Sequence, residues 1–165
     1  LDDVYRAAPE GATVGRPHLA DALVANGVVA SRDEAFLDLL NNDSKYYVTH
    51  AAPTPEDAIR SIRKAGGVAV IAHPFASRRG QTITAATFAD LVAAGLNGIE
   101  VHHRDQNAQE QETLIAIARE LNLAITGSSD YHGTGKLNGL AENTTNQAEW
   151  EQLESLADAR RVVRK

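Results

Sequence analysis

The sequence predicts an α/β fold with a parallel sheet, and three observations carry that prediction. From residue 54 on, helical patterns alternate with short apolar runs, the signature of a parallel sheet with covering helices. The first run, Val68–Ala72, is short and continuously apolar, as in a strand buried on both faces, and Gly98–Val101 and Leu123–Thr126 are further short strand-like runs. Residues 1–53 lack the alternation and read as helical. The expected organisation is therefore a helical insertion or cap subdomain over residues 1–53, then an α/β portion over residues 54–165.

Residues 1–16 contain Gly and Pro and read as irregular. Pro17 suits the first turn of a helix that runs through Val24 and closes at Gly27. Ser31-Arg32-Asp33-Glu34 has the capping-box pattern and opens a second short helix reaching Leu40. The polar stretch that follows contains Tyr46-Tyr47-Val48, a short extended piece. Thr54-Pro55-Glu56-Asp57 then combines an N-cap, a first-turn proline and first-turn acids. Its helix places Ile59, Ile62 and Ala65 on one face and ends at Gly66-Gly67. Further helices are expected over about Ala85–Ala94, Asn107–Leu121 and Glu149–Arg160, with residues 134–147 as loop.

The 165 residues fit one domain, and 43% hydrophobic content is enough for a core. A net charge of -6 with no basic run argues against duplex DNA as a partner. The absence of cysteine excludes disulfides and thiol catalysis, so a metal site must use His, Asp, Glu and water. No apolar stretch is long enough to span a bilayer and no signal peptide is visible, so the expectation is a cytoplasmic protein without membrane contact.

Ligands in parallel α/β folds sit beyond the carboxyl ends of the strands. Four of the six histidines fall there. The first run ends at His73, the second supplies Glu100, His102 and His103, and the third leads to Asp130 and His132. Asp130 and His132 are two apart, so an extended backbone points both the same way, with Gly127 and Gly133 on either side. A plain Ser/Asp turn also accounts for that pair taken alone. His102 and His103 alternate, so at most one should face the site. Glu100 reads equally as a residue that touches a metal or orients a ligand and as an ion-pair partner. Arg16 and His18 lie at a helix start, where anions bind well, although a solvated terminus explains the same residues. His50 receives no role.

The runs GRPHLADALV, AGGVAVIAHP, GIEVHH and GSSDYHG resemble the PHP-domain (polymerase and histidinol phosphatase) metal-dependent phosphoesterases. The nearest branch is the one that dephosphorylates nucleotide 3′,5′-bisphosphates and trims short RNA from the 5′ end. The resemblance implies part of a distorted (β/α)7 barrel with a helical insertion subdomain. It implies two or three divalent ions (manganese, iron or zinc), with His73, Asp130 and His132 as ligands, beside which the strand-end reading leaves Glu100 and His103 as candidate supporting residues. It also implies that Arg16 and His18 meet substrate phosphate, the substrate being a nucleotide or short RNA. His132 or His102 is then the proton donor to the leaving group. The family's HxH motif is missing and the sequence contains no Met, so an N-terminally truncated piece is expected. Such a piece would hold fewer metals or none, and could self-associate through exposed barrel edges. The alternatives are a non-catalytic PHP-like scaffold and an amidohydrolase-type C–N hydrolase.

Overall fold

The computed structural model describes residues 1–9, 11–48, 51–77, 83–131 and 137–158. It divides into two compact units, Leu1–Ala51 and Ala52–Lys165.

The first unit is helical. Helix α1 spans Asp2–Ala7, α2 spans Arg16–Ala25, and α3, Arg32–Glu34, continues as a π-helical turn over Ala35–Leu39. Helix α1 occupies a stretch expected to be irregular. Its acids lie in the first turn and Arg6 in the last, complementing the helix dipole. The cap expected at Ser31 is present, its Oγ accepting the Glu34 N–H at 3.2 Å. No strand forms at Tyr46-Tyr47-Val48; Tyr46 lies in a turn, and all three residues are exposed. With no neighbouring strand to pair with, an isolated extended piece gains nothing. Ala20, Val29 and Ala35 form the small core of this unit.

The second unit runs α4 (Pro55–Lys64), β1 (Val70–Ile71), α5 (Ala85–Ala94), β2 (Gly98–His102), α6 (Ala108–Glu120), β3 (Ala124–Gly127) and α7 (Gln147–Leu156). The three strands pair in parallel in the order β1-β2-β3. Thr54, Asn107 and Asn146 cap α4, α6 and α7 as acceptors of the N3 amide, and Gly95 closes α5 at φ 108°. That left-handed conformation is readily open only to glycine.

The core consists of β2, β3 and the inner faces of the helices. Ile99, Val101, Phe88 and Leu114 are fully buried within it. Burying a side chain of that size contributes about 1.5–3 kcal/mol, so the central strand is the best-anchored element. Strand β1 is shorter than its apolar run suggested and is not buried on both faces: Val70 is 39% exposed. Among the described residues it pairs with β2 alone. The arrangement is an α/β unit with a three-stranded parallel sheet.

Candidate metal centre

All three strands deliver a polar side chain to their carboxyl ends. His73 follows β1, His103 follows β2 and Asp130 follows β3. One potential ligand atom from each lies within 4.8 Å of the other two. The His73 and His103 rings have centroids 4.7 Å apart, and His103 Nε2 is 3.7 Å from Asp130 Oδ2. His103 is fully buried, while His73 and Asp130 are half-buried. Two imidazoles and a carboxylate at this spacing suit a borderline divalent cation.

Backbone conformation marks the same place. His73 has φ 28° and Asp130 φ 49°, two of four non-glycine residues with positive φ among those described. Such conformations cost on the order of 1–3 kcal/mol and persist where surroundings impose them. At His73 the imposing group is Glu100, whose Oε2 accepts the His73 N–H at 2.9 Å. Beyond β3, Ser128 N–H donates to His102 O, Ser128 Oγ accepts the Asp130 N–H, and Asn138 Nδ2 donates to Ser129 O.

The β2–β3 register shifts between Glu100 and His102. A bulge at a strand end re-aims the side chains that follow it. His103 joins the cluster, whereas His102 Nδ1 donates to Gln111 Oε1 at 3.3 Å and is not one of the three. His103 is further defined by its other ring nitrogen, which accepts the Asp105 N–H at 3.1 Å. A neutral ring accepting at Nδ1 carries its proton on Nε2, the nitrogen that faces Asp130. His103 Nε2 and Asp130 Oδ2, 3.7 Å apart, are too far for a hydrogen bond but lie within reach of one ion.

Of the residues singled out in the sequence, the structure brings together His73, His103 and Asp130, with Glu100 on the His73 backbone. His132 lies outside the described residues. Arg16 and His18 belong to the first unit. Arg16 Nη1 donates to Leu40 O at 2.9 Å and to Asn42 Oδ1 at 3.2 Å, and His18 Nδ1 accepts the Gly15 N–H at the start of α2. Two buried residues escaped the sequence reading, Gln106 and Asn138. Each joins a nearby backbone carbonyl to a partner some thirty residues away, Gln106 to the Phe75 N–H and Asn138 to the Arg104 guanidinium, and no local pattern announces them.

No protein-family profile matches the chain. It is 33% identical over 123 residues to a 3′,5′-nucleoside bisphosphate phosphatase of Chromobacterium violaceum, covering 74% of this chain and 43% of that protein. It is 33% identical over 112 residues to a phosphoribosyl 1,2-cyclic phosphate 1,2-diphosphodiesterase of Eggerthella lenta, covering 68% and 35%. It is 31% identical over 123 residues to the 5′-3′ exoribonuclease Rnm of Escherichia coli, covering 74% and 42%. The chain thus spans less than half the length of these curated relatives. A crystal structure from Bifidobacterium adolescentis, described as a candidate metal-dependent phosphoesterase, superposes with a TM-score of 0.88 at 39% identity, covering 95% of this chain and 56% of that one. A Chromobacterium violaceum structure described as an amidohydrolase with bound sulfate gives a TM-score of 0.72 at 30% identity, covering 96% and 58%.

Proposed function

Because the chain belongs to the PHP-domain phosphoesterase family, we propose that it forms part of a metal-dependent hydrolase acting on a phosphate ester of a nucleotide or short RNA. The observation that carries this reading is the meeting of His73, His103 and Asp130 at three parallel strand ends.

His73 and Asp130 are the proposed ligands within the described residues, and His132, outside them, is the proposed third. Divalent ions held there (manganese, iron or zinc) supply positive charge to the scissile phosphate and ease ionisation of the attacking water. Glu100 accepts the His73 N–H, and His103 is proposed to direct an N–H towards Asp130; supporting contacts of this kind orient a ligand and tune its basicity. His102, or His132, is the proposed proton donor to the leaving group. In the helical unit, Arg16 and His18 are proposed to hold a substrate phosphate, Arg16 with the guanidinium nitrogens not engaged by Leu40 and Asn42. The same reading takes residues 1–53 as a helical insertion subdomain and residues 54–165 as a portion of a (β/α)7 barrel. No helix among the described residues is long and apolar enough to cross a membrane.

The test is metal content and phosphatase rate of the protein at its natural length, with His73→Ala and Asp130→Ala. Each variant is expected to lose metal and to slow hydrolysis of a nucleoside 3′,5′-bisphosphate on the order of a hundredfold. Full metal and full rate in both would overturn the reading. A second reading, C–N bond hydrolysis, is favoured by the likeness to the amidohydrolase structure. Turnover of a simple cyclic amide, without turnover of the bisphosphate, would select it.

A further inference from the structure

We propose that Gln106 is a positioning residue for His73, fastening the turn that carries this imidazole to the end of the central strand. The inference rests on the reading of His73 as a metal ligand and adds a residue to the machinery that supports it.

Gln106 lies between β2 and α6 and is only 3% exposed. A buried primary amide needs partners for both its oxygen and its nitrogen, and here each finds them in a different segment. Its Nε2 donates to Val101 O at 2.7 Å and to Glu100 O at 3.1 Å. Its Oε1 accepts the Phe75 N–H at 2.9 Å. The amide thus bridges the last carbonyls of β2 to the turn after β1.

Across His73-Pro74-Phe75, proline has no N–H, so the turn offers two backbone donors. Both are accepted by side chains of the β2–α6 segment: His73 by Glu100 and Phe75 by Gln106. His73 holds φ 28° between these anchors, a conformation that needs external support. Helix α6 steadies the anchor in turn, since Gln111 Nε2 donates to Gln106 O at 2.9 Å. Loss of the bridge would release one end of the turn, and the imidazole would no longer be held at a fixed distance from Asp130.

The experiment measures the manganese dissociation constant of the protein at its natural length by equilibrium dialysis, for the wild type, Gln106→Met, His73→Ala and the double variant. Gln106→Met is expected to weaken metal binding about tenfold, and to add little once His73 is already Ala. Equal affinity in Gln106→Met and the wild type overturns the inference. So does the same loss with and without His73, which would mark Gln106 as merely structural. If His73→Ala itself leaves affinity unchanged, the ligand assignment fails and takes this inference with it. Should Gln106→Met fail to fold, amide exchange in the wild type decides: the Phe75 N–H must be protected, and exchange at the rate of an open chain overturns the bridge.

Discussion

The backbone N–H of His73 donates to the side chain of Glu100, 27 residues later, at 2.9 Å. A strand-end carboxylate that reads from sequence as a metal ligand or an ion-pair partner is thereby occupied, in one of its oxygens, by a neighbouring turn. Glu100→Gln retains an acceptor and is expected to keep most of the stability and metal affinity. Glu100→Ala leaves the N–H of a strained residue without this acceptor, at a cost of about 1–3 kcal/mol. Thermal unfolding and metal titration of the two variants check the distinction. Equal behaviour of Gln and Ala would show that the contact contributes nothing.

Gly127 ends β3, three residues before Asp130. A Cβ placed on it would lie 2.5 Å from Thr144 O and 2.9 Å from His102 Cβ. Neither is the far end of a flexible side chain, so the backbone itself must shift. Gly127→Ala is expected to destabilise by at least about 1–3 kcal/mol, seen as a lower unfolding midpoint. An unchanged midpoint would mean that the 127 and 144 segments are not packed as described.

The helices after residue 54 and strands β2 and β3 were legible because their signals are local. Thr54 with Pro55, and Asn107 with Glu110, specify helix starts within four residues. Gly95 specifies a stop by its own backbone freedom. The strand-end rule then located His73 and Asp130. The choice between His102 and His103 was not legible, because it depends on a register shift against β3 that neither residue encodes. Gln106 and Asn138 were invisible for a related reason: among their partners are Phe75 and Arg104, brought near only by the fold. Tyr46-Tyr47-Val48 misled because β-favouring residues form a strand only where another strand offers hydrogen bonds.

The acid response of α4 follows from Asp57. The Arg60 guanidinium beside it, and then the Thr54 hydroxyl, hold its carboxyl below the usual value of 3.8. A carboxyl whose folded pKa is depressed contributes stability that is present above its unfolded pKa. That contribution is lost as pH falls through the lower, folded value. Asp57→Asn is therefore expected to unfold at a lower temperature than the wild type at neutral pH, with the difference vanishing once the pH has fallen below the lowered, folded value. Melting curves of both proteins across this range check the sign. A difference that persists unchanged in acid would assign the effect to packing and not to charge.

His103 offers the sharpest separation between ligand and support. Its Nδ1 accepts from Asp105 and its Nε2 faces Asp130, so ligation through Nε2 would require the Asp105 contact to break or the ring to lose both protons. Glutamine retains an N–H donor near the Nε2 position but is a poor ligand for a divalent cation beside imidazole. A supporting role predicts that His103→Gln keeps metal affinity within about threefold while His103→Ala loses about tenfold. A ligand role predicts comparable losses in both. The tautomer gives a second, independent reading: nitrogen NMR of the metal-loaded protein should show the His103 proton on Nε2. A proton on Nδ1, with Nε2 shifted by metal, would make His103 a ligand and leave Asp130 to be oriented by its own turn.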